Sequence, residues 1–212
     1  MTTLSSRAGT KGVPRAARER QLLAAATEEF GRRGYEATTV AAVATRVGVT
    51  KPLVHQYFGG KQDLYLACLD PVGERLLGAI RAAMAEEDTG APSMPLRVLR
   101  ALFTALDGRR EAWFVLYDPS LPPDSEAARR AAHFRDAIDD LAASGTADLL
   151  HTAGAGDPLD ADALAYAWRG LCTALVRWWI NHPDQSAEAM TRRCARLLDA
   201  ARTAFANGDD ST

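Results

Sequence analysis

The sequence predicts an all-α protein in two parts, a three-helix N-terminal head carrying a helix-turn-helix and a larger C-terminal helical bundle. Three observations lead there. Apolar residues recur at helical spacing through most of the 212 residues, and no stretch alternates as a half-buried strand would. Between Thr38 and Phe58, two short amphipathic segments flank a single glycine, Gly48. Charge is also divided: residues 1–62 carry ten Lys and Arg against four Glu, a balance of +6, which leaves −8 on the rest of a chain of net charge −2. A basic head on an acidic body is the electrostatic footprint of a DNA-binding module joined to something else.

The head is expected over residues 1–60. Met1 to Pro14 is polar and basic and reads as a mobile arm. Arg15 to Arg33 reads as the first helix, with Leu23, Ala26 and Phe30 buried and Arg18, Glu19, Arg32 and Arg33 facing out. Gly34 ends it and Tyr35 closes the loop. Val40, Val43 and Val47 then share one face of a second helix, and Ala44 is small where two helices must approach. Gly48 stands where the chain must stop and turn, which favours a residue free to take positive φ. Val49 plugs the corner. Thr50 is placed to cap a third helix, and Pro52 is tolerated in its first turn. Val54 and Phe58 return to the core. An ordinary helical hairpin shares the glycine, but the small residue, the turn glycine and the three apolar anchors agree in order and spacing with a DNA-reading unit. That unit would present Thr50, Lys51, His55 and Gln56 to a major groove, where Gln56 suits a bidentate pair with adenine.

The flanks extend the pattern. Upstream stands R-x-L-L-x-A-A-x-x-x-F-x-x-x-G-Y-x-x-T-T, from Arg20 to Thr39, and downstream Y-F-G-G-K-Q-D-L, from Tyr57 to Leu64. This order resembles the N-terminal domain of the TetR (tetracycline-repressor) family of transcriptional regulators, over about the first third of the chain. His55 stands where many members have Tyr. The resemblance implies phosphate contacts by Thr39, Tyr57 and Lys61. It also implies a C-terminal domain that binds a small-molecule effector, a homodimer on a palindromic double-stranded DNA operator, and most often a repressor released by its ligand. An activator or ligand-independent regulator of the same fold is the alternative; from another class, a helical enzyme or scaffold carrying such a head.

The body, residues 61–212, reads as six helices. Lys61 to about Glu87 is long, with Leu64, Cys68, Leu76, Ile80 and Met84 apolar; Pro71 inside it predicts a kink or break near Asp70, a candidate hinge. Gly90, Pro92 and Pro95 mark a loop over Asp88 to Pro95. Leu96 to Leu106 turns Leu99, Leu102, Phe103 and Leu106 inward. After Gly108 comes a short aromatic helix, Arg109 to Tyr117, ended by Pro119, Pro122 and Pro123. Ser125 to Ala153 carries Phe134, Ile138, Leu141 and Leu149 at near-helical spacing, with Gly145 as a bend. Asp160 to Asn181 bears two apolar stripes, one through Leu164, Trp168, Leu171, Leu175 and Trp178, the other through Ala165, Cys172, Val176 and Trp179. Such a helix is buried on more than one side. Asp184 to Phe205 closes the fold before a polar tail, with Met190, Cys194, Leu197 and Ala201 recurring.

No catalytic signature occurs: no P-loop, G-x-S-x-G, H-E-x-x-H or dinucleotide fingerprint. No enzyme, cofactor or metal site is therefore expected. His133 and Asp136 share a face but read as solvated, and Asp157, Asp160 and Asp162 read as favourable charge at a helix start. Cys68, Cys172 and Cys194 are isolated and odd in number, which fits buried thiols in a reducing cytoplasm. The chain shows neither a signal peptide nor a membrane span, so a cytoplasmic protein with no membrane partner is expected. The aromatics of the body supply the candidate effector site: Phe103, Trp113, Tyr117, Phe134 and Trp168, with Cys172. The last two helices carry more apolar surface than one bundle face needs. Leu171, Leu175, Leu197 and Ala201 are the candidates for the dimer interface.

Overall fold

A computed structural model describes residues 13–86, 92–155 and 157–206, the last three without their side chains. The expected arm before Val13 and the polar tail after Ala206 lie outside the described residues. The order is α1 (Arg15–Ala37), α2 (Val40–Val47), α3 (Lys51–Phe58), α4 (Lys61–Ala85), α5 (Met94–Leu106), α6 (Ala112–Leu116), α7 (Glu126–Thr152), α8 (Pro158–Ile180) and α9 (Ala187–Ala206). Among the described residues there is no strand, and no helix is long and apolar enough to cross a membrane.

The head forms around α1. Ala26 and Phe30 are buried as expected, while Leu22, not the half-buried Leu23, completes the apolar stripe. Arg18 is buried rather than outward; its long stem covers apolar surface while its guanidinium donates to Gln21 Oε1 at 2.9 Å. Val40, Val43, Ala44 and Val54 complete the head's core with Leu64 of α4. Gly48 takes φ 71°, ψ 33°, and the Val49 N–H closes on Ala44 O at 2.9 Å, which ends α2 with a left-handed cap. The cap of α3 differs from expectation. The Thr50 side chain makes no cap bond, and the hydroxyl that does cap is that of Thr39, which accepts from Ala42 N at 3.1 Å at the start of α2.

The body packs α4 against α5 and α7, and α8 and α9 close it from outside. The break expected near Asp70 does not occur. α4 runs unbroken through Pro71, whose ring lies on the exposed side. Neighbouring contacts brace this stretch. Asp70 pairs with Arg130 of α7 at 2.7 Å, and the Phe134 ring lies where a Cβ on Gly73 would stand, 2.4 Å away. Gly145 likewise marks a close approach within a continuous α7, against the methyl ends of Met94 and Met84. Leu149, expected inward, is exposed at the edge of the cavity between α7 and α8. On α8 only the second stripe is core: Cys172, Val176 and Trp179 are buried, whereas Leu171 and Trp178 are exposed. Arg110 ties the far end, donating to the carbonyls of Trp179, His182, Pro183 and Gln185 and lying 4.2 Å from the Trp179 ring centroid. All three cysteines are buried and free; burial pushes Cys68 and Cys172 up to about 12, so both stay protonated thiols.

Gly34 combines a positive φ with a close approach. It leaves α1 at φ 77°, ψ 169°, a region essentially closed to other residues, and a Cβ there would lie 2.7 Å from Ser120 Oγ. Gly48 is strained for other residues but opens onto empty space. Gly34→Ala should therefore cost about 1–3 kcal/mol in backbone strain alone. At about 2–4 °C per kcal/mol, Tm should fall by several degrees in a thermal circular-dichroism melt, further than for Gly48→Ala.

Candidate nucleic-acid interface and buried cavity

Burial of Val54 fixes which way α3 faces. With Val54 inward, Lys51, Pro52, His55 and Gln56 are exposed on the opposite side, and Leu53 and Tyr57 are half-buried at its edges. Tyr57 sits under the Arg15 guanidinium, 5.3 Å from its ring centroid. The His55 ring folds back so that Nδ1 meets the carbonyl of Gly59, leaving Nε2 as the outward nitrogen. Thr39 is exposed and still has its hydroxyl proton to donate after capping α2. Thr50 is exposed beside Lys51. Lys61 is half-buried; its ammonium donates to Glu36 O at 3.1 Å and rests 4.5 Å from the Tyr35 ring centroid. The α4 N-terminus does not stand open as an anion site, because Asp63 already accepts the Gly60 N–H at 2.9 Å.

Much of the head's positive charge is spoken for. Arg46 pairs with Glu28 and with Glu29 (2.7 Å), Arg33 with Glu29 (3.2 Å), and Arg32 with Glu28 and the body's Glu111 (both 3.1 Å). The net +6 already subtracts Glu28 and Glu29, and among the described residues only Glu111 of the body draws on it further; on α3 the positive charge is carried by Lys51 alone. Partly buried ion pairs of this kind hold α1 and α2 in register.

Besides the Arg32–Glu111 pair, a buried carboxylate joins the head to the body. Asp118 is buried in the loop after α6. It accepts from Tyr35 N at 2.6 Å, from Ser120 N at 2.8 Å and from Ser120 Oγ at 2.7 Å, and Ser120 Oγ in turn accepts from Glu36 N at 3.1 Å. Tyr65 of α4 closes the joint from beneath, donating to Val115 O at 2.6 Å and stacking edge-on against Phe30 and Tyr35. Gly34 and Gly31 lack side chains so that this loop and the start of α6 can reach α1. A Cβ on Gly31 would lie 2.1 Å from Glu111 O.

On the other side of α6 lies a cavity of about 290 Å³ walled by α4 to α9. Its lining is almost wholly apolar, including Met84, Val98, Leu102, Trp113, Ile138 and Trp168. Of the sequence-predicted effector residues, Trp113, Tyr117, Trp168 and Cys172 come together on this wall, and Leu171 joins them. Phe103 and Phe134 do not. Phe103 is fully buried edge-on against Trp179, 5.4 Å between centroids, and Phe134 fills the notch above Gly73. Both are packing residues of the α4–α5–α7 core. Of the dimer candidates, Leu171, Leu197 and Ala201 are exposed and Leu175 is half-buried against the core.

Comparison with known proteins decides the class. Residues 22–68 match the family model for bacterial regulatory proteins of the tetR family. The HTH-type transcriptional activator FasR of Mycolicibacterium smegmatis is 26% identical over 170 residues, covering 80% of this chain and 75% of FasR. The HTH-type transcriptional regulator BetI of Brucella suis is 36% identical over 107 residues, a match spanning 47% of this chain and about half of BetI (52%). A TetR-family regulatory protein from Rhodococcus RHA1 superimposes with a TM-score of 0.65 at 26% identity, over 87% of this chain and 95% of that one. The N-terminal domain is that of the tetR family. The chain is a DNA-binding transcriptional regulator with the helix-turn-helix at its N-terminus.

Sequence reasoning missed Asp118, Ser120 and Arg110. The signal for Asp118 was slight, one Asp before Pro119 in a loop read only as proline-rich, and its partner Tyr35 lies 83 residues away. Removing the carboxylate strands a buried N–H and a hydroxyl. Asp118→Ala should destabilise the fold by about 2–4 kcal/mol, the range for losing hydrogen bonds to a charged group and leaving their donors unpaired. Urea denaturation checks this, with Asp124→Ala in the exposed loop as the unaffected comparison.

Proposed function

We propose that this protein binds a two-fold symmetric operator as a homodimer and lets go of it when a small apolar molecule enters the cavity. The observation that carries the reading is adjacency: Tyr117 lines the cavity, and the next residue, Asp118, holds the backbone of Tyr35 just after the break in α1 at Gly34. α6 has only five residues between Gly108 and Pro119, so it can shift as a unit. A ligand that prefers one position of α6 shifts the population of head positions by its differential affinity for the two states. We take residues 1–60 as the DNA-binding part and 61–212 as the effector and dimer part, with α4 shared by both.

The dimer reading is supported by Leu171, Trp178 and Leu197, large apolar side chains left exposed on α8 and α9. A two-fold pairing of these helices would set two α3 helices on half-sites about one or more turns of B-DNA apart. The groove side of α3 carries Lys51 and Gln56 foremost, with His55 through its outward nitrogen; Thr39, Thr50, Tyr57 and Lys61 flank it as backbone contacts. An activator is the second reading, favoured by the likeness to FasR, and the same joint would serve it with the sign reversed.

Selection of a duplex from a random pool gives the operator, and titrations on it test the roles. Gln56→Ala should cost about 1–3 kcal/mol on the selected sequence and relax preference at one base pair. Lys51→Ala should weaken all sequences alike and lower the salt slope by about one counterion. A preference unchanged by Gln56→Ala would remove that side chain from base readout.

A further inference from the structure

Resting on the effector reading above, we propose that the cavity takes an uncharged, largely hydrocarbon molecule with a single hydrogen-bond acceptor, a carbonyl or ether-like oxygen, received by the hydroxyl of Tyr117. Four observations converge on that one atom. The Tyr117 hydroxyl is buried and has no hydrogen-bond partner. A buried donor left unmade is costly, and a ligand acceptor is what would satisfy it. Of the charged groups that act on it, Asp139 and Arg169 lie on the cavity wall and Arg135 does not; the first two mark the cavity's polar end. Burial and the neighbouring Asp139 push its pKa up, so it stays protonated and donates.

The other polar groups on the wall are already matched. Trp113 donates its indole N–H to Thr173 Oγ1 at 3.3 Å, and the Thr146 hydroxyl donates to Ala142 O at 2.9 Å. Cys172 is a buried protonated thiol. Arg169 and Asp139 are bonded to each other at 2.7 Å. That pair sets the ligand's charge. A carboxylate ligand would compete with Asp139 for Arg169, leaving a carboxyl already pushed up by desolvation with a shared partner, and an ammonium ligand would compete with Arg169 for Asp139. A neutral ligand disturbs neither. At about 30 Å³ for each water-sized group, the cavity's volume suits roughly ten non-hydrogen atoms.

The test uses the full chain and follows the fluorescence of Trp113 and Trp168 while three ten-carbon probes are titrated: decan-2-one, decanoate and decylammonium. The expected result is saturable binding of decan-2-one at least tenfold tighter than either ion, weakened at least fivefold by Tyr117→Phe. A labelled carbonyl gives a second reading that does not depend on the variant: the 13C resonance of the bound ketone should lie downfield of its position in an alkane solvent, as a hydrogen bond inside an apolar cavity requires. Decanoate or decylammonium binding as tightly as the ketone would overturn the charge assignment while leaving an effector cavity standing. Ketone binding unaffected by Tyr117→Phe, with no downfield shift, would overturn the role of Tyr117. Failure of all three probes to bind would overturn this inference together with the effector reading beneath it.

Discussion

The contact on which the rest depends is the carboxylate of Asp118 buried against the backbone of Tyr35. A carboxylate out of water must be met by donors, and here two backbone N–H groups and a serine hydroxyl converge at hydrogen-bond distance, two from its own loop and one from the head. That demand sets the local sequence. Gly34 must take a backbone region closed to other residues and must also leave room for Ser120. Gly31 must let α6 approach, and Tyr65 must reach Val115 O from below. The DNA-reading surface is therefore not a separate bead on a linker. It hangs from the body through α4 on one side and this joint on the other.

The second consequence concerns α4. A proline within the long helix invited a hinge reading, yet the helix stays regular through Pro71, with Asp70 held by Arg130 and Phe134 seated over Gly73. Proline on an exposed helix face leaves the orphaned carbonyl of Ala67 near solvent, where water can satisfy it, so the helix need not break there. With the middle of α4 braced by α7, the short α6 and its loop become the more direct line between cavity and head.

Local signals read well from the sequence because their physics is local. Gly48 needs positive φ whatever surrounds it, and the order Val43, Ala44, Gly48, Val54 is dictated by two helices meeting within twenty residues. The family resemblance rests on the same stretch. Long-range matters read less well. Both stripes of α8 are apolar, and only the packing of α7 and α5 decides that Cys172, Val176 and Trp179 are core while Leu171 and Trp178 are left outside. Phe103 and Phe134 were indistinguishable by type from Trp113 and Trp168, yet their places on α5 and α7 turn them away from the cavity. Charge counting missed that Glu28 and Glu29 gather Arg32, Arg33 and Arg46, because pairing depends on where α1 and α2 cross.

The central claim is that filling the cavity is felt at Tyr35 through Asp118. Amide hydrogen exchange reads that bond directly, since the Tyr35 N–H is the donor. With the cavity filled by a bound ligand, the protection of the Tyr35 and Glu36 amides should fall at least threefold, while that of amides within α2, such as Ala44, stays as it was. Unchanged protection at Tyr35 and Glu36 in a demonstrably occupied protein would contradict the account.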